Sequence, residues 1–262
     1  MASSLSLARA DLESLLRARK LDRTLTSTLP SQPVRDELAV APTALGPVDG
    51  QLGGGFPRGQ LSELVGPRSS GRTSLLLQTL AAATSRGELV ALVDALDAFD
   101  VESASAAGIP LERLLWVRGH VVANPGLCLD MNQRAVDQAI KALTLVLQAG
   151  NFGLVVLDVA EAPREAIRRL PFTTWLRLQR MVEGTQTACV LVGTEPMARS
   201  SAGLTLRVGI HAGVGDARLG TTGIKFGGRL FEGLDVTATV VRARSHVREE
   251  AAAAFTTVAF NS

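Results

Sequence analysis

Between Gly66 and Thr73 the chain reads GPRSSGRT: a glycine, four residues, a second glycine, a basic residue and a threonine. With that spacing, a loop leading from a strand into a helix can wrap phosphate oxygens in backbone N–H groups while the helix N-terminus faces their charge. Gly66, Ser69, Ser70, Gly71, Arg72, Thr73 and Ser74 are therefore candidate phosphate contacts. One position departs from the pattern. The usual basic residue is a lysine, a compact charge on a flexible stem, whereas Arg72 carries a planar, wider guanidinium that is no equivalent replacement. A second candidate is Asp158, which closes the apolar run LVVLD and could hold the water shell of a magnesium ion beside the loop. The alternative is purely structural: the two glycines make a tight turn, and Ser69 or Ser70 caps the helix.

These residues need a scaffold, and the hydrophobic pattern supplies one. Leu61–Val65 reads as the strand before the loop, Thr73–Ala83 as the helix after it, and Leu89–Asp94 as a continuous apolar strand buried on both faces, so the three form a βαβ unit. Further strands are expected at Leu114–Val117, Leu154–Asp158 and Ala188–Val192. Helices are expected at Ala104–Ala107, ending at Gly108, at Asn132–Gln148, ended by Gly150, and at Phe172–Glu183, with Trp175, Leu178 and Met181 as apolar contacts. Near the C-terminus Leu204–Val208, Val236–Val241 and Phe255–Phe260 follow one another as strands. The alternation of strand and helix thus gives way to successive strands, which implies an α/β sheet, mostly parallel, with an antiparallel end.

Composition narrows the function classes. The chain has 262 residues, 46% of them hydrophobic, and a net charge of +2. Of its 27 basic residues only Lys20, Lys141 and Lys225 are lysines, and the arginine and alanine bias fits a GC-rich genome rather than a nucleic-acid footprint. Cys128 and Cys189 sit in apolar surroundings without Cys-x-x-Cys spacing, as buried thiols of a reducing cytoplasm would. His120, His211 and His246 are scattered, so no metal-ligand spacing is present. No run approaches the roughly 18 apolar residues of a membrane span, and Arg9, Asp11 and Glu13 stand where a signal peptide would be apolar. A cytoplasmic protein is expected. Residues 1–23 carry an amphipathic helix with Leu12, Leu15 and Leu16 on its apolar face, and the Pro- and Ser-rich residues 24–42 read as a linker to a core at 43–262. That helix is either a docking arm or an element packed back on its own domain.

From about Thr43 to Arg244 the order and spacing of LGGGFPRGQLSELVGPRSSGRTSLL, GLVVLDVAEA and DVTATVVRARSHV resemble the RecA recombinase core. Within that family, DALDAFDVESASAAGIPLERLLWVRG is most similar to the ImuA group, RecA-like accessory proteins of bacterial mutagenic translesion-synthesis cassettes. The resemblance implies a RecA-like fold and an ATP and magnesium site. Thr73 would offer magnesium a hydroxyl, Asp158 the strand-end carboxylate, and Asp100 an aspartate near the adenine. It also shows departures. Leu96 stands where a glutamate would orient water, with Asp97 adjacent on a strand end that points it elsewhere, Ser103 where an aromatic would stack on the base, and Thr194 where a glutamine would sense the terminal phosphate. Together with Arg72 these imply weak or absent hydrolysis. Arg242 and Arg244 match residues that reach a neighbouring subunit's nucleotide, or else are exposed charges on an edge strand. The segment Gly193–Gly203 is brief, with Arg199 as its only basic residue and no aromatic. The chain ends near the close of the ATPase core, so single-stranded DNA is expected to bind weakly or indirectly. Arg164, Arg168, Arg169, Arg177 and Arg180 could make a basic patch or be a solvated face.

The implied role is an adaptor that binds RecA and a polymerase complex of ImuB and a DnaE-type error-prone polymerase, away from membranes. An active DNA-dependent ATPase and a SulA-like inhibitor of cell division are the alternatives.

Overall fold

A computed structural model describes residues 39–119, 129–210, 224–227, 230–244 and 252–258. The chain divides into two units, Met1–Glu37 and Leu38–Ser262. The amphipathic helix with Leu12, Leu15 and Leu16 falls in the first and lies outside the described residues, as do Cys128 and the three histidines. The rest concerns the second unit.

Its frame is a sheet of nine strands, eight of them in one continuous order. β3 (Leu61–Val65) lies between β7 (Ala188–Gly193) and β8 (Ala202–Ile210). β6 (Leu154–Asp158), β4 (Val90–Asp94) and β5 (Leu114–Arg118) continue beyond β7, all in parallel. On the other side β10 (Leu230–Ala243) pairs antiparallel with β8, with β11 (Ala252–Val258) and with β9 (Ile224–Gly227), which gives the antiparallel end expected from the strand succession. Two short strands, β1 (Val40–Ala41) and β2 (Phe56–Pro57), pair separately. The last part of the segment read as a linker is thus built into the domain. Ala41 and Thr43 are fully buried, and the Thr43 N–H and hydroxyl both donate to Asp49 at 2.8 Å.

The central strands are mostly apolar because helices cover both faces, with Ser62 and Glu63 of β3 as buried polar exceptions. On one face α2 (Arg72–Ser85) buries Leu75, Leu76 and Leu80 against Leu64, Leu92, Val156 and Val190, joined by Val48 and Leu52 around α1 (Gly46–Gln51) and by Ala104 of α3 (Val101–Ala106). On the other, α4 (Leu129–Ala149), α5 (Arg164–Arg168) and α6 (Phe172–Val182) cover Leu61, Val93, Val155, Leu157 and Leu191 with Val136, Leu143, Ala166, Trp175 and Leu178. Met181 does not join Trp175 and Leu178 inside. It lies half-buried beside Leu176 and Arg177 on the outer face of α6, because a helix lying over a sheet has one buried stripe.

Two placements add to the sequence reading. β3 and β4 are parallel and joined through α2, as a βαβ unit requires, and β7 and β6 stand between them, so the crossover is wide. β10 is interior between β8 and β11 from Gly233 to Thr239, but at Arg242 it pairs with β8 alone among the described strands, which is compatible with the edge reading of that arginine.

Candidate functional site

The loop from Gly66 to Gly71 leaves the C-terminal end of β3 at the centre of the sheet and turns into α2. Both glycines are required by their surroundings. A Cβ at Gly66 would stand 2.4 Å from the Val208 carbonyl oxygen, and one at Gly71 would stand 2.5 Å from Val236 Cγ2 on a backbone with φ of 84°. Gly71 is itself the N-cap of α2, and no side chain caps the helix. Neither serine therefore takes the capping role: Ser69 is exposed with φ of 57°, and Ser70 is buried with its hydroxyl oxygen unpartnered. The first-turn N–H groups have no intrahelical acceptor, and Thr73 and Ser74 are exposed beside them. This half of the site can receive a phosphate, held by backbone donors and the helix N-terminus.

Arg72 points the other way. Its side chain is 6% exposed, and Nη1 donates to the Gly66 carbonyl within its own loop and to Gly193 O, at the end of β7, at 3.1 Å. The Gly66 N–H also donates to Gly193 O, at 3.2 Å, so the guanidinium fastens a junction the backbone already makes. Burial pulls the guanidinium below its ordinary pKa, while the nearby carboxylates of Asp158 and Glu161 oppose that pull. The residue expected to reach phosphates is thus spent on carbonyls behind the loop. The exposed Arg68 at the loop's tip pairs with Glu161.

Asp158 ends β6 in register with Asp94 on β4 and Val192 on β7, so it faces the same end of the sheet as the loop. Desolvation is the main cause that pushes its carboxyl up to about 6. The anionic neighbours Asp94 and Glu161 add to it, and the Ala160 N–H bond at 2.9 Å and Arg72 work against it. Thr73 and Asp158 remain the residues that could hold magnesium beside a bound phosphate; among the described residues no cluster of three or more metal-ligating side chains occurs.

The other sequence-marked positions are occupied by local structure. Asp100 caps α3, accepting the Ser103 N–H at 2.9 Å, and Ser103, through its hydroxyl first and its N–H second, holds the carboxyl below the usual carboxylate range. Asp97 lies in the bend after β4 rather than on the strand end, and pairs with Arg118 at 2.7 Å, whose guanidinium lies 4.5 Å from the centre of the Trp116 ring. Leu96 packs on the apolar cluster beneath α4 and α6, and Thr194 lines a cavity next to Gly193. Arg242 and Arg244 donate to the carbonyls of Arg199 and Ser200 in their own chain. Cys189 is fully buried, and burial pushes its thiol up to about 12, an inert sulfur.

Two buried carboxylates had no role in the sequence reading. Asp94 accepts the N–H groups of Ala98 and Phe99 at 3.1 and 2.8 Å and the Trp116 indole at 3.4 Å, and so shapes the turn that holds Leu96 and Asp97. Glu63, 1% exposed at the centre of β3, accepts Met197 N at 2.7 Å, Ala198 N at 2.6 Å and the Thr205 hydroxyl at 2.6 Å. A charge in the middle of LSELV was the available signal, since a carboxylate in a strand covered on both faces must find donors.

Comparison with known proteins agrees with this geometry. Residues 32–167 match the family model described as the RecA N-terminal domain. Protein RecA of Clavibacter michiganensis is 35% identical over 136 residues, 51% of this chain and 34% of that protein; Protein RecA of Acholeplasma laidlawii is 35% identical over 109 residues, 42% and 29% of the two. The aligned stretch thus spans about a third of these relatives' length. The crystal structure of the RadB recombinase superposes with a TM-score of 0.54 at 21% identity, covering 82% of this chain and 95% of that one. With the family match spanning about half of the sequence, on the strands and loop that build this site, the chain belongs to the RecA N-terminal domain family.

Proposed function

We propose that this chain is a RecA-derived adaptor of the ImuA type: a protein-recognition module of mutagenic translesion synthesis in the cytoplasm, in which the inherited nucleotide site has little or no hydrolytic power. It would bind RecA and a complex of ImuB with a DnaE-type error-prone polymerase, with Leu12, Leu15, Leu16, Arg242 and Arg244 as candidate interface residues. Single-stranded DNA would be engaged weakly or through those partners.

The observation that supports the reading is the orientation of Arg72. A basic residue that stabilises phosphoryl transfer must reach the outer phosphates, and this one bonds two carbonyls behind the loop. The leucine at position 96, half-buried against the apolar cluster, has no side-chain oxygen to orient water. The glycine cradle and the uncapped α2 terminus still fit a phosphate group, so ATP with magnesium at Thr73 and Asp158 remains compatible with the loop; a bound nucleotide would supply the negative charge that these groups are arranged to meet. Asp100 and Ser103, bonded to each other, would add nothing to a base.

The test is phosphate release by the purified protein with and without single-stranded DNA, beside capture of purified RecA and ImuB. Turnover at least about a thousandfold below that of an active RecA is expected, together with capture of at least one partner. Turnover comparable to RecA, or capture of neither, would overturn the proposal.

A further inference from the structure

The segment after β7 and the α5–α6 corner line a cavity of about 210 Å³ that adjoins the phosphate loop through Gly193, whose carbonyl accepts the Gly66 N–H. Its walls are apolar: Trp175, 3% exposed, with Ile167, Leu170, Phe172 and Met197, all packed on the core beneath. Its rim is charged. Arg164 pairs with Glu195 at 2.8 Å, Arg168 approaches the same carboxylate at 3.9 Å, and Arg199 has its guanidinium 6.0 Å from the centre of the Phe172 ring. Two guanidinium groups therefore share one carboxylate, and the third, that of Arg199, has no acidic partner among the described residues.

The cavity is also held open. Glu63 fixes the backbone at Met197 and Ala198 from within the sheet, and the Arg199 and Ser200 carbonyls accept Arg242 and Arg244. A wall tied at both ends loses little freedom when something docks against it.

We infer that this cavity is a docking site for an acidic segment of a protein partner, which inserts one apolar side chain against the half-buried Ile167, Phe172 and Met197 and places flanking carboxylates on Arg199 and Arg168. Volume, charge and shape lead to the same occupant. Small-molecule sites run from about 300 Å³ upward, so this space suits a single anchoring side chain rather than a cofactor. The positive excess at the rim complements an anionic flank and repels a basic one. Nucleic acid is a poorer fit: Trp175 is buried and offers no open ring face, Arg199 overlies Phe172, and Glu195 would face a phosphate backbone. The inference rests on the protein-recognition part of the proposed function and adds the chemistry of the partner's segment.

The experiment uses the full chain and fluorescence anisotropy with short labelled synthetic peptides. Each carries one Leu, Met, Phe or Trp in a run of Asp and Glu. Controls replace the anchor by Ala or the flanks by Lys, and an oligo-dT probe is measured alongside. Expected is saturable binding of at least one anchored acidic peptide, about tenfold or more tighter than its Ala control, weakened about tenfold or more by Arg199→Glu and by Arg168→Glu. Both arginines are exposed, so the variants should keep the parent's melting temperature. No saturable peptide binding, or binding that neither variant changes, would overturn the inference. So would oligo-dT binding that these variants abolish while no peptide binds. Peptide binding that persists in a protein unable to capture RecA or ImuB supports this site while removing the proposed function, so the two failures can be told apart.

Discussion

Arg72 reaches two carbonyls through one nitrogen, Nη1, which donates to Gly66 O in the loop and to Gly193 O at the end of β7, while its buried Nε finds no partner. A lysine ammonium has donors enough for both, but its stem ends one bond short of Nη1, so it must leave one or both carbonyls or shift to reach them. Arg72→Lys is expected to lower stability by about 1–3 kcal/mol, read as a lower urea midpoint with unchanged slope; an unchanged midpoint would mean that the inward bonds contribute nothing. Asp158 makes a prediction of opposite sign. Its carboxyl titrates at about 6 in the folded protein, above the usual carboxylate range, so the folded state holds that proton more tightly than the unfolded chain does. Ionisation therefore removes stability as pH rises from about 4 through about 6, and the loss is complete above that window. Asp158→Asn, which cannot ionise, should raise the melting temperature at about pH 8 by the equivalent of about 1–3 kcal/mol, with the gain disappearing toward about pH 4. A gain that stays constant with pH would assign the effect to packing instead.

The element that joins the site to its surroundings is β3, and Glu63 is its cross-tie. Three donors from the segment after β7 and from β8 converge on one buried carboxylate. In Glu63→Gln the amide turns an N–H toward donors that need an acceptor. An expected loss of about 2–4 kcal/mol should appear as a lower denaturation midpoint, and protease cleavage between Gly193 and Ala202 should speed up. Intact resistance there would show the segment to be held by something else. The same strand shows where the sequence could be read and where it could not. The turn from β3 into α2 was legible because glycine spacing and apolar runs are local signals. The inward bond of Arg72 to Gly193, 121 residues away, was not, since nothing near position 72 marks the partner. The placement of β7 and β6 between β3 and β4, and of β10 inside the sheet, was hidden for the same reason: apolar strands announce burial but not neighbours. Asp100 illustrates the converse. Its capping bond to Ser103 is a local pattern, legible in principle, that the search for a base contact passed over.

Across the whole sheet, burial falls from the centre outward. β3, β4 and β7 are buried along their full length, with apolar clusters on both faces, whereas β5 has only half-buried and exposed residues and pairs with β4 alone among the described strands. Leu115 on β5 is 43% exposed, and α3 beside it is six residues long with one buried side chain. Local opening costs least where few apolar contacts must break. Amide hydrogen exchange should therefore be slowest in Leu61–Val65 and Ala188–Gly193, where opening requires global unfolding, and at least about a hundredfold faster in Leu114–Arg118 and Val101–Ala106. The gradient matters for function because both candidate binding features, the phosphate loop and the cavity beside Trp175, hang from the two slow strands through Gly66, Gly193 and Glu63. A partner at either feature would meet a preformed surface, while the β5 end remains free to breathe without disturbing it. Equal protection of β5 and β3 would mean that the sheet opens as one unit, and the argument for a rigid centre carrying both features would fail.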